Sequence, residues 1–230
     1  MLAYLVRHAE SLTNAGEGGD LNPALSPLGL QQVERLVRRF SSVKLTAVYC
    51  SPFERCLATA APLARAAGLT VRIRPELHEC YHLPAGRRVE NRLGTIDEIV
   101  RTGDRLELCP DFKGEPRWPA HDESGEDLSA RMQAFADYLK GRWGEADDAV
   151  LAVSHGSPLA RLISAWVSPP PYPSYQFVVD NATMSALRFQ KGVSTLTCLN
   201  EASHLAGLAA PEIANYNGDG SIKLRRPPVR

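Results

Sequence analysis

The sequence predicts an α/β fold: a three-layer α/β/α sandwich on a mostly parallel sheet, with an antiparallel edge and a helical and loop insertion over the ligand-collecting edge of the sheet. Three observations predict it. Short apolar runs alternate with longer helical patterns, as in layered sheets with helical crossovers. The last two runs are joined across Lys191-Gly192 and read as a hairpin. Residues 80–125, with scattered charges and Pro84, Pro110, Pro116 and Pro119, break the alternation and read as a cap-like insertion within one domain spanning 1–230.

Along the chain the expected strands are 2–6, 45–49, 71–73, 149–153, 184–189 and 195–199. Three helices are expected to begin with a capping serine followed by proline at the first helical position: Ser26-Pro27, Ser51-Pro52 and Ser157-Pro158. At Ser51 a Glu54 three residues on completes the pattern of a capping box. Weak helical periodicity surrounds 96–100, and the segment after Ala206 is irregular, ending in arginines and prolines.

The 26 basic and 26 acidic residues of the 230 cancel, so no bulk field holds the protein on nucleic acid or an anionic membrane. Anion specificity must be local. Five cysteines without a CxxC pair suit a reducing compartment. Residues 2–6 are too short for a signal-peptide core, and no apolar run reaches membrane-spanning length, so the expected address is the cytoplasm. Neither a nucleic-acid nor a membrane partner is expected.

In an open α/β sheet, ligands collect beyond the C-terminal ends of the strands, where helix N-termini present unpaired N–H groups. That edge carries Arg7-His8 after the first strand, Arg55 at the start of the helix after the second, and Ser154-His155-Gly156 after the strand at 149–153. Two arginines and two histidines converge on one place, the composition of a site for a phosphate dianion. The arginines also disfavour imidazolium, which keeps His8 neutral and nucleophilic.

The segment Leu5-Val6-Arg7-His8-Ala9-Glu10-Ser11-Leu12-Thr13-Asn14 resembles the signature of the histidine phosphatase (phosphoglycerate mutase-like) superfamily. Leu25-Ser26-Pro27-Leu28-Gly29-Leu30-Gln31, Val48-Tyr49-Cys50-Ser51-Pro52-Phe53-Glu54-Arg55 and Val153-Ser154-His155-Gly156 are similar to its following blocks. Asn181 and 200–205 are similar to its last landmarks. The resemblance implies that His8 becomes a phosphohistidine, that Arg7, Asn14, Arg55 and His155 hold phosphoryl oxygens, and that Glu79 gives the leaving oxygen its proton. It implies a metal-independent phosphomonoesterase of the histidine acid type. Its substrate would be a small phosphorylated metabolite, it would need no cofactor or metal ion, and it would act as a monomer or homodimer.

Other readings compete. Mutases of the superfamily usually carry an Asn-Arg-Phe-x-Gly-Trp-like stretch where Ala15-Gly16-Glu17-Gly18-Gly19-Asp20-Leu21-Asn22 stands, which favours the phosphatase branch over phosphoglycerate mutase-type transfer. A non-catalytic phospholigand-binding module would not need the full set of His8, Arg7, Arg55 and His155. Glu76, Glu123 and Glu126 rival Glu79 as the acid. Cys50 to Arg55 is one residue too short for the Cys and Arg phosphate loop of tyrosine phosphatases, and His78-x-Cys80-x-His82 offers three metal ligands without a fourth.

Overall fold

The computed structural model describes residues 1–17, 21–80, 95–114, 123–144, 146–168 and 177–208. In chain order the elements are β1 (Leu2–Arg7), α1 (Pro27–Phe40), β2 (Leu45–Cys50), α2 (Glu54–Ala66), β3 (Val71–Ile73), a 3₁₀ turn (Pro75–Leu77), α3 (Ile96–Thr102), β4 (Leu106–Leu108), α4 (Gly125–Trp143), β5 (Ala149–Ser154), α5 (Gly156–Val167), β6 (Met184–Gln190) and β7 (Val193–Glu201). A second 3₁₀ turn, Ser203–Leu205, follows.

The seven strands form one sheet in the order β4-β3-β2-β5-β1-β6-β7. The five from β4 to β1 run parallel, and β6 and β7 join antiparallel. The period-2 pleat sends alternate side chains to opposite faces, and both faces are apolar. Val6, Val48, Cys50, Ile73, Leu151 and Val153 pack with α1, α2 and α3, whereas Ala3, Leu5, Tyr49, Val150 and Ala152 pack with α4 and α5. This is the three-layer arrangement expected. Leu5, Val6 and Leu151 are fully buried, each a gain of about 1.5–3 kcal/mol over exposure. The turn between β6 and β7 is the expected two-residue hairpin, with Lys191 and Gly192 both at positive φ (51° and 74°), the conformation that matches strand twist.

Three details differ from expectation. Residues 80–125 are not wholly an insertion: α3 leads into β4, which pairs in parallel with β3 and forms the sheet's edge. Like β3, β4 has only three residues, but it lies among charges and near Pro110, without the β-branched apolar run that marks 71–73. Of the three Ser-Pro starts, only the first is a cap, with Ser26 Oγ accepting the Gly29 N–H at 3.0 Å. The second helix begins at Glu54, with Phe53 rather than Ser51 at its N-cap and no capping box. The third begins at Gly156 with His155 at the cap, so Ser157 lies inside it.

Candidate active site

The three central strands end together. Arg7 is registered against Ser154, and the ladder runs one step further: His8 N–H donates to Ser154 O at 2.9 Å and Ser51 N–H to Val153 O at 3.0 Å. These bonds set His8, Ser51 and His155 side by side at the C-terminal edge of the sheet. Ala182, at φ 56°, closes the end of β1 with its N–H on Arg7 O and His8 O (3.1 and 3.3 Å). The segment after His8 is fastened to α1. Glu10 O accepts the Ser26 N–H at 2.9 Å, Gln32 Oε1 accepts the Glu10 N–H at 2.8 Å, and Ser26 Oγ–H donates to Glu10 Oε1 at 2.7 Å. A Cβ on Gly29 would stand 2.0 Å from Glu10 O, so this approach of helix to loop requires glycine.

Arg55 links the two histidines. Its Nε–H donates to His8 Nε2 at 3.2 Å and its Nη2–H to His155 Nδ1 at 3.0 Å. A guanidinium only donates, so both ring nitrogens it meets are acceptors, and the tautomers follow. His8 carries its proton on Nδ1 and gives it to Ala9 O at 2.8 Å; His155 carries its proton on Nε2 and gives it to Ser51 Oγ at 2.9 Å. The His8 lone pair is therefore on Nε2, facing the guanidinium. Burial first, then the positive charges of Arg55 and Arg7, push His8 well below the ordinary imidazole value. Burial and Arg55 do the same to His155. Both rings are buried, 5.2 Å apart edge to face, and neutral near physiological pH.

Arg55 itself is 7% exposed and lies over the Phe53 ring at 4.4 Å, with Nη1–H on Leu21 O at 3.3 Å. Its backbone is held by Thr59, whose hydroxyl donates to Arg55 O at 2.7 Å while accepting the Ala9 N–H at 3.0 Å. Arg7 donates Nη1–H to Val179 O at 2.8 Å, and its guanidinium lies against the first residue of α5, about one van der Waals contact (3.6 Å) from where a Gly156 Cβ would be. Asn14 Oδ1 accepts from Ser11 Oγ at 2.9 Å and from Asn181 Nδ2 at 3.2 Å, and Asn181 Nδ2 also donates to His8 O at 3.0 Å. The side-chain oxygen of Asn14 is thus committed as an acceptor.

Glu79 completes the cluster from the far side. Its Oε1 accepts the Cys80 N–H at 2.9 Å and its Oε2 lies 3.8 Å from His155 Nδ1. Burial raises its carboxyl above the usual carboxylate range, against the pull of Arg55, Arg7 and Arg131. The rival carboxylates are engaged elsewhere: Glu76 with Arg74, Glu123 with Arg131, while Glu126 is exposed in the first turn of α4.

The competing motifs separate as well. Cys50 is buried, its thiol pushed up by burial and donating to Ser51 O at 3.1 Å, so it is no thiolate beside Arg55. Cys56, 3.4 Å from His155 Nε2, is raised by burial to about 12. His78 donates its Nδ1–H to Glu79 O at 2.6 Å, and its partner in the possible metal motif, His82, lies outside the described residues.

All six expected site residues thus stand at one edge. Sequence reasoning missed Thr59, for which a threonine one helical turn after an arginine gives no signal. It also misread Ser51 as a helix cap, when the hydroxyl serves His155.

The chain belongs to the histidine phosphatase superfamily (branch 1), an enzyme family whose profile matches residues 3–202. Among its relatives, a probable phosphatase of Schizosaccharomyces pombe is 27% identical over 89% of this chain and 71% of its own length. A probable phosphoglycerate mutase GpmB of Yersinia pestis is 30% identical over 82% of this chain and 85% of its own. The crystal structure of the alpha-ribazole phosphatase of Shigella flexneri superposes with a TM-score of 0.64 at 26% identity, covering 87% of this chain and 96% of that one. Among the described residues no helix is long and apolar enough to cross a membrane.

Proposed function

We propose that this enzyme is a metal-independent phosphomonoesterase of the histidine acid type, which moves the phosphoryl group of a small phosphorylated metabolite onto His8 and then to water. The observation that carries the reading is the tautomer of His8. With Nδ1–H fixed on Ala9 O, the Nε2 lone pair is presented to Arg55, with the charge of Arg7 also acting on the ring. The Arg55 N–H now on that lone pair passes to a phosphoryl oxygen as phosphorus arrives. The lone pair forms the N–P bond, the ester P–O bond breaks, and protonated Glu79 gives its proton to the leaving oxygen. Water then attacks phosphorus, Glu79 takes a proton from it, and the electron pair of the N–P bond returns to Nε2. Throughout, Ala9 O supports the charged ring, and the cationic donors stabilise the equatorial oxygens without requiring a metal ion.

Both phosphatases and a mutase stand among the relatives, so the acceptor is the point to test. The purified protein, in EDTA and ¹⁸O-labelled water, should release inorganic phosphate from members of a small phosphomonoester panel with one ¹⁸O per turnover, and His8→Ala should release none. Unlabelled transfer to a second substrate hydroxyl would mean a mutase. Activity that returns only on adding a metal would contradict the metal-independent mechanism.

A further inference from the structure

Glu79 has no regular element of its own. It follows a single 3₁₀ turn, yet an acid must point at the leaving oxygen to within a fraction of an ångström. The carbonyls of that turn are claimed from outside. Arg131, on α4, donates Nη1–H to Glu76 O at 2.5 Å, and Ser154 Oγ–H donates to Leu77 O at 2.7 Å. Arg131 is in turn held flat by Glu123, whose two carboxylate oxygens receive its Nε–H and Nη2–H in a fork, each at 2.5 Å. Arg131 and Glu123 are only 13% and 7% exposed, so the pair lies inside the protein. Cys80 rests on the same support, its Sγ 4.0 Å from Glu123 O.

We infer that the buried Glu123–Arg131 pair is a positioning device for the acid: α4, through Arg131, grips the turn that aims Glu79. The inference rests on the acid role given to Glu79 above. A buried ion pair is a weak source of stability but a good source of fixed geometry, because either partner alone would be a stranded charge. Arg131 also brings a positive charge near Glu79, which is faced as well by Arg55, Arg7, His155, Cys56 and Cys80; of the three arginines, Arg131 is the one that does not act on His8 or His155. Its loss lets burial raise the carboxyl further.

The test uses the double variant Glu123→Gln/Arg131→Met, which removes the pair without leaving one charge buried, alongside Glu79→Gln and the triple combination. Single-turnover release of the leaving group is followed for an alkyl phosphate and for nitrophenyl phosphate, whose leaving group needs no proton. The double variant should slow the alkyl phosphate about 10-fold, the nitrophenyl ester less than about twofold, and move the basic limb of the alkyl pH profile upward. Adding it to Glu79→Gln should slow the alkyl phosphate no further. If Glu79→Gln is selective for the alkyl phosphate but the double variant slows both substrates equally or neither, the pair does not aim the acid. If Glu79→Gln itself shows no selectivity, the acid role and the inference fall together.

Discussion

The two sides of the site are built differently. On the phosphate side, His8, Arg55 and His155 are buried, with Arg55 bonded to both rings, and the backbone of His8 and of Ser51, the partner of His155, continues the hydrogen-bond ladder of the three central strands. His8 cannot move without disturbing the end of that ladder. On the leaving-group side, Glu79 is half-buried after one 3₁₀ turn, and its direction depends on side chains that reach in from β5 and α4. On the proposed mechanism, the step common to all phosphomonoesters falls to the core, and the step that depends on the leaving group falls to the periphery, where sequence can change without cost to the sheet.

That division is broken or sharpened by substitution. The largest selective effect should come from Glu79→Gln, which keeps the shape and removes the proton. Phosphorylation of His8 by an alkyl phosphate should slow by about 10²–10⁴-fold and that by nitrophenyl phosphate far less, read as single-turnover release of the leaving group. An equal fall for both would place Glu79 on the phosphate side. Arg55→Ala should behave in the opposite way, costing both substrates about 10²–10³-fold, the range for a lost transition-state donor. It should also move the acidic limb of the kcat/KM profile to higher pH. Burial is the main reason His8 resists protonation, but Arg55 is the next, and without it the ring gains a proton more readily.

The smallest effect concerns stability. His78 is pushed down to about 4 by burial and then by Arg131, so its neutral form contributes stability that is present above about 6.5, the unfolded value, and is lost as pH falls through 4. His78→Asn keeps a donor for Glu79 O and removes the titration. Its Tm should fall less steeply than that of the wild type between pH 6.5 and 4, and parallel curves would show that His78 is not held neutral by the fold.

The same division governs what the sequence discloses. That these residues would meet at one edge was legible because Arg7-His8 and His155 sit where the apolar runs 2–6 and 149–153 end, and Arg55 opens the helix after 45–49. A strand end is a position that a pattern can locate. The two-residue hairpin at Lys191-Gly192 was legible for the same local reason. By contrast β4 has three residues in a stretch of prolines and charges, and its membership of the sheet depends on pairing with β3, a tertiary fact. Ser51 and Ser157 misled because a Ser-Pro pair favours a helix start but does not fix which residue is the cap; the ring of His155 took the hydroxyl of Ser51, and the backbone of His155 took the N-cap position expected of Ser157. Thr59 and the Glu123–Arg131 pair act through backbone atoms of distant segments, and no spacing announces such contacts. Glu79 was already preferred from the sequence through the family resemblance; what spacing could not disclose is that its rivals Glu76 and Glu123 are engaged in ion pairs with Arg74 and Arg131.

The central claim is that phosphate passes through Nε2 of His8. Its most direct measurement is a rapid quench of the wild-type protein with ³²P-labelled substrate, followed by acid and base treatment of the denatured chain and peptide mapping. The account predicts one labile phosphate per chain at most, lost in acid, stable in base, mapped to His8, and absent from His8→Ala that still folds. A wild-type protein that turns over at full rate with no labelled histidine under any quench time, or a His8→Ala protein that keeps its turnover, would contradict it.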